Sequence, residues 1–259
     1  MKLIKLVGHV FIIILLTALT QVGGLIWMVA LVLSYLLEWK KRYSFPIIYL
    51  IFNLILIPVI APYFGRVQLP VLNSAIRPQN YFYALAFRNY VTPELKSSLN
   101  NTAAELANLG IQISYLDANF PFIDGFPLLP HLSHNDGRKV DIAFQYKTAN
   151  GKSTNKKPSL LGYGNYVNTE NPTNHYCKSR GFWQYDITKY LNLNIRNSLE
   201  FDRENTKALI QGILYQTNNE KLFIEPYLKE QLGLQSYSEI RFHGCQAVRH
   251  DDHIHLQIN

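Results

Sequence analysis

Two short runs gather five of this chain's eight histidines. The first is His131-Leu132-Ser133-His134, followed by Asp141; the second is His250-Asp251-Asp252-His253-Ile254-His255. Imidazole nitrogen and carboxylate oxygen are ligands that zinc takes at about 2.0–2.2 Å, and a catalytic zinc keeps three protein ligands beside an open position. His134, Asp141 and His255 supply such a set. His131, His250, His253 and Asp252 then remain to hydrogen-bond around the ligands and to move protons. Asp136 competes with Asp141 for the carboxylate place, and Asp141 is preferred because a strand gives a metal site rigid support. A single histidine is more often an ordinary polar residue, so the inference rests on the two runs together. No triad pattern surrounds Ser133, which reads as orienting the ligand loop rather than attacking a substrate.

The elements that must position these groups are legible in outline. Residues 253–258 alternate as a strand, with Ile254, Leu256 and Ile258 on one face, so His253 and His255 share the other. Residues 139–146 alternate too: Val140, Ile142, Phe144 and Tyr146 face the core and send Asp141 to the opposite side. Two strands thus each present ligands to one cleft, and His134 comes from the loop at 117–138. Upstream, Thr92 as N-cap, Pro93, the spacing of Leu95, Leu99 and Leu106, and Gly110 predict a helix, followed by a strand at 111–116. A helix is expected over 202–216, a short strand over 222–224 and a short helix over 226–232. The polar stretch 147–175 reads as a long exposed loop beside the cleft. The expected class is α+β, a small, mainly antiparallel sheet flanked by helices. Arg88 and Arg138 are weaker candidates for binding a substrate carboxylate, and Tyr163, Trp183 and Tyr185 for lining the cleft.

The first sixty or so residues are of another kind. Residues 46–63 carry no charge and would extend about 27 Å as a helix, close to a bilayer's hydrocarbon thickness. Residues 6–37 are uncharged apart from His9 and are broken by Gly23-Gly24. The reading is a transmembrane anchor over 1–64 with spans near 6–22, 24–37 and 46–63; two long spans are the alternative. Residues 65–91 form a connector, and 92–259 the domain that carries the histidines. Lys40, Lys41 and Arg42 mark the cytoplasmic side, which puts the domain outside the cytoplasmic membrane. Of the formal net charge of +7, Lys2, Lys5, Lys40, Lys41, Arg42 and Glu38 carry +4, leaving +3 for residues 64–259. That is no nucleic-acid footprint, though it suits an anionic envelope polymer. Cys177 and Cys245 both lie in the outer part, where a disulfide is permitted but not required.

These residues carry a family likeness. Ser133-His134-Asn135-Asp136-Gly137-Arg138-Lys139-Val140-Asp141 resembles the S-H-x-x-G-x-x-x-D segment of penicillin-insensitive murein endopeptidases. His250-Asp251-Asp252-His253-Ile254-His255 is similar to their H-D-D-H-x-H run, and the likeness extends over roughly residues 110–258. They belong to a wider group of zinc peptidases, with D-alanyl-D-alanine carboxypeptidases and dipeptidases, that share H-x6-D and a later H-x-H. The resemblance implies zinc on His134, Asp141 and His255, with His131, His250 and His253 as further active-site histidines. Asp252 stands where the carboxypeptidase and dipeptidase relatives place an acidic general base. The activity implied is hydrolysis of peptidoglycan cross-link peptides; a D,D-carboxypeptidase or dipeptidase, or a non-enzymatic envelope-binding module, are the alternatives. Two features depart from the endopeptidases: the membrane anchor, where those are soluble periplasmic proteins, and the loop at 147–175.

Overall fold

A computed structural model describes residues 2–168, 170–196, 198–216 and 220–259. The chain begins with α1 (Lys2–Thr20) and α2 (Gly23–Leu36), followed by α3 (Lys41–Ile51), a π-helical turn at Phe52–Leu56 and α4 (Ile57–Ile60). The π turn sits just before Pro58, which has no N–H to continue the i→i−4 ladder. Among the described residues two stretches are long and apolar enough to cross a membrane, Leu3–Thr20 and Arg42–Phe64, whereas Gly23–Leu36 is shorter. Only 6% of the first and 28% of the second is buried, so their apolar side chains face outward, unlike those of a core helix. Gly24 lets α1 and α2 close on each other, because a Cβ there would strike the Thr17 hydroxyl and the Ile13 carbonyl.

The remaining elements build an α+β domain. In chain order they are β1 (Val67–Gln68), β2 (Ile76–Pro78), α5 (Tyr81–Leu85), β3 (Tyr90–Val91), α6 (Pro93–Leu106), β4 (Ile113–Tyr115), β5 (Lys139–Ala143), β6 (Tyr146–Lys147) and β7 (Ser153–Thr154). Then follow α7 (Pro172–Ser179), β8 (Glu200–Phe201), α8 (Arg203–Gln216), β9 (Glu220–Phe223), α9 (Pro226–Gln231), β10 (Ile240–Arg241) and β11 (His253–Ile258). The expected helix starts where its signals place it: Thr92 Oγ1 accepts the Leu95 N–H, and Gly110 takes a left-handed conformation beyond the end.

The sheet departs from expectation. It is neither small nor mainly antiparallel but six-stranded and mixed, in the order β10-β9-β11-β5-β4-β2. The central pairs are antiparallel, while both edge pairs, β10 with β9 and β2 with β4, are parallel. Parallel neighbours need a crossover connection, supplied here by α9 between β9 and β10 and by α5 and α6 between β2 and β4. The edge strands are two or three residues long, too short for an alternation to be read from sequence. The strand expected over 139–146 also breaks after Ala143, and β6 joins β7 and β8 in a separate sheet. Beneath the main sheet, Val140, Ile142, Leu222, Ile254 and Leu256 pack with α6 and α8 through Leu95, Leu99, Leu209 and Ile213.

Candidate metal centre

The antiparallel register of β11 on β5 pairs His255 with Asp141, Ile254 with Ile142 and Leu256 with Val140. Directly opposed residues project to the same face, so the aliphatic pairs enter the core and His255 meets Asp141 on the other side. His255 Nδ1 lies 2.9 Å from Asp141 Oδ1. His134 Nε2 completes a triangle at 3.2 Å from His255 Nδ1 and 3.3 Å from Asp141 Oδ1. A tetrahedral ion at about 2.0–2.1 Å from each ligand needs them roughly 3.3 Å apart. The three residues could therefore hold a metal ion. His134 Nδ1 lies 2.9 Å from the Ala118 carbonyl, and donating to it leaves Nε2 with its lone pair toward the triangle.

The charge state of the triangle suits a cation. Burial opposes ionisation of Asp141, but the neighbouring His134 and His253, with His255 packed against the same carboxylate, outweigh it and hold its carboxyl well below the usual range. Burial pushes His255 down to about 3, which keeps it neutral, the form that ligates. Around the cleft the buried ring nitrogens His131 Nε2, His253 Nε2, His255 Nε2 and His243 Nδ1 have no hydrogen-bond partner among the described residues. A dry core would leave few such groups unmatched.

The other expected residues converge here as well. His253 Nε2 points at Asp141 Oδ1 from 3.7 Å, while its Nδ1 hydrogen-bonds to Asp252 Oδ1. Asp252 Oδ2 accepts the Gly164 N–H at 2.6 Å, so both carboxylate oxygens are engaged on the far side of the imidazole. Gly164 has φ +77°, and a Cβ on it would run into the Thr188 carbonyl, which fits glycine to this close approach. Burial alone would lower His253, yet Asp141 and Asp252 raise it to about 9. The His250 ring lies tilted at 5.0 Å from His253 and edge-on at 5.5 Å from His255, and burial, with those two rings, holds it well below its ordinary value. His131 and Ser133 line the same cleft, a cavity of about 490 Å³.

The remaining candidates sort by what they touch. Asp136 lies outside the triangle and pairs with Lys139. Arg88 is buried and binds Asp117 through both carboxylate oxygens at 2.6 and 2.8 Å, so it is not free to take a substrate carboxylate. Arg138 is exposed and Trp183 is 72% exposed. Tyr163 is buried and donates to Asp141 Oδ2 at 2.8 Å. Tyr185 donates to Glu225 Oε1 at 2.6 Å, and that same oxygen accepts the His250 N–H. Cys177 and Cys245 form a disulfide, tying the loop after β10 to α7.

Three residues escaped the sequence reading. Asp117 receives His131 Nδ1 at 2.9 Å and Arg88 on its other side; burial opposes its charge, but Arg88 and His131 prevail and hold it near 2. Glu225 is buried behind His250, where loss of solvation pushes it up to about 7. His243 stacks on Phe223 at 4.3 Å and on His255 at 5.6 Å. Each stands alone in sequence, and only the chain's return path brings it to the cleft.

Neither a known protein-family model nor a curated protein sequence matches the chain.

Proposed function

We propose that the chain is a membrane-anchored zinc metallopeptidase that hydrolyses peptidoglycan cross-link peptides, in the manner of murein endopeptidases. The observation that carries this reading is the triangle of His134 Nε2, Asp141 Oδ1 and His255 Nδ1, set by strand register beside an open cleft. One carboxylate and two imidazoles suit zinc among the common divalent ions. Bound there, zinc would supply Lewis acidity and bring a nearby water's acidity toward neutrality. The chain's own groups then have distinct tasks. His253, held protonated by its carboxylate neighbours, would give a proton from Nε2 to the leaving amine, and Asp252 positions that ring through Nδ1. His131, held at Nδ1 by Asp117, lines the same cleft as neutral His250, whose ring N–H would stabilise a developing oxyanion. Tyr163 fixes the non-ligating oxygen of Asp141.

Location in the cytoplasmic membrane, with the domain on the extracytoplasmic side, is supported by Lys40 just before α3 and by Lys41 and Arg42 at its start. The Cys177–Cys245 disulfide supports the same side, because such bonds persist in oxidising compartments.

The test is digestion of purified cross-linked muropeptides by the full chain in detergent or nanodiscs, with products identified by mass. Wild type is expected to convert dimers to monomers, and chelation or His134→Ala to abolish the conversion. Release of alanine alone would move the protein to the carboxypeptidase branch. A folded, zinc-loaded chain that cleaves nothing would overturn the peptidase reading in favour of a binding module.

A further inference from the structure

The N-terminal helices do more than lengthen the chain. Val22, Ile26, Ala30, Ile48, Ile57 and Ala61 form one buried cluster with Phe87 and Tyr90 of the domain. Polar contacts fix the depth of this joint. Asn53 Nδ2 donates to the carbonyls of Ala84 and Leu85 at 3.0 and 3.3 Å, and the Tyr49 hydroxyl donates to Leu85 at 2.6 Å. The charged residues Lys40, Lys41 and Arg42, at the start of α3, cannot lie in hydrocarbon at low cost. From Lys41, Asn53 is only about 18 Å along the helix at roughly 1.5 Å per residue, against a hydrocarbon core of about 30 Å. Tyr49 is nearer still. The C-terminal end of α5 therefore lies at a depth where the helix is still within the bilayer.

The end of α1 meets the domain at a second, independent contact. Its outward apolar side chains continue to Leu19, and two residues later Gln21 grips the domain. Gln21 Oε1 accepts the N–H groups of Phe122 and Ile123, and its Nε2 donates to the Ile123 carbonyl. Where these two contacts meet the domain, Tyr81, Phe82, Leu85 and Ile123 turn large apolar side chains outward, Leu85 being 45% and Ile123 61% exposed.

We propose that the domain is not suspended above the membrane but docks into the lipid leaflet on its own side through this rim of Tyr81, Phe82, Leu85 and Ile123. Lipid is the occupant because the rim sits where Gln21, Tyr49 and Asn53 seat the domain on helices whose own apolar side chains face outward, and aromatic residues favour the interfacial layer. The segment from Ile123 to His134 then runs from lipid to metal ligand, with exposed Leu129 and Leu132 on the way. Leu132 lines the cleft itself, so the cleft takes its substrate close to the membrane surface. The docking rests on α1 and the Arg42–Phe64 stretch spanning a membrane; the statement about substrate rests also on the proposed peptidase function.

The test is nitroxide depth measurement on the full chain in phosphatidylcholine–phosphatidylglycerol vesicles, which needs no activity. Both native cysteines are paired, so single labels report cleanly at Leu85→Cys, Ile123→Cys and, as an independent rim position, Tyr81→Cys. Phe11→Cys on α1 and exposed Tyr215→Cys on α8 are the lipid and water references. The rim labels are expected to resemble Phe11, with a several-fold excess of oxygen over nickel-chelate accessibility, and Tyr215 to show the reverse. Rim labels that resemble Tyr215 while Phe11 reports lipid would overturn the docking and leave the anchor standing. A water-exposed Phe11 would overturn both, and neither result touches the muropeptide assay.

Discussion

The two faces of the β5–β11 pair are both buried, yet they are built on opposite rules. On one, Val140, Ile142, Ile254 and Leu256 close against α6 and α8. On the other, Asp141, His253 and His255 are equally hidden but tied into a polar cluster that leaves several ring nitrogens unmatched. The first face gains stability by removing apolar area from water, and shape decides how well it does so. The second costs stability unless every group finds a partner, and unmatched groups persist where a ligand completes them. Adjacent residues on one strand thus serve stability and chemistry separately.

Substitutions that respect the strand but change one face at a time sharpen this contrast. The largest effect is expected from Asp141→Asn. Zinc affinity, followed by isothermal titration of the full chain, should fall by more than the ~100-fold typical of losing an outer partner, while the metal-free chain keeps its fold. Retention of wild-type affinity would remove Asp141 from the ligand set. Next, Ile142→Ala on the opposite face should lower unfolding stability by about 2–5 kcal/mol through lost burial and a cavity, with zinc stoichiometry unchanged in the folded fraction. If zinc binding vanished while the fold persisted, the two faces would not be separable.

A smaller effect is expected behind the centre. Asp252→Asn should leave zinc bound but reduce turnover by roughly 10–100-fold, because the carboxylate acts through the orientation of His253. A loss confined to KM would argue against that role. The smallest is a stability term at Glu225, whose folded pKa is raised from 4.5 to about 7. The folded state then holds a proton that the unfolded state releases, so stability should fall as pH rises from 4.5 to about 7 and level off above. The size is on the order of 1–3 kcal/mol. Glu225→Gln should flatten that slope in thermal melts across this range; an unchanged slope would assign it to another group.

Much of the centre was legible because strand alternation is local. The period of two in residues 253–258 places His253 beside His255 whatever the rest of the chain does. The same rule turned Asp141 away from Val140 and Ile142, although the strand proved shorter than its pattern. Parallel edges were not legible, since β2 and β10 borrow their direction from crossovers elsewhere in the chain. Nor was Arg88, whose partner Asp117 lies 29 residues away.

By itself, then, the sequence determined which stretches are apolar enough for a membrane, which strands alternate, and which histidines and aspartates share a strand face. These follow from the chemistry of neighbouring residues and from the fixed periods of helix and strand. Tertiary structure alone decided the His255–Asp141 register, the arrival of Asp117, Glu225 and His243, the Cys177–Cys245 bond and the seating of the helices on the domain. Those are contacts between distant segments, selected by the packing of the whole chain, and no local period encodes them.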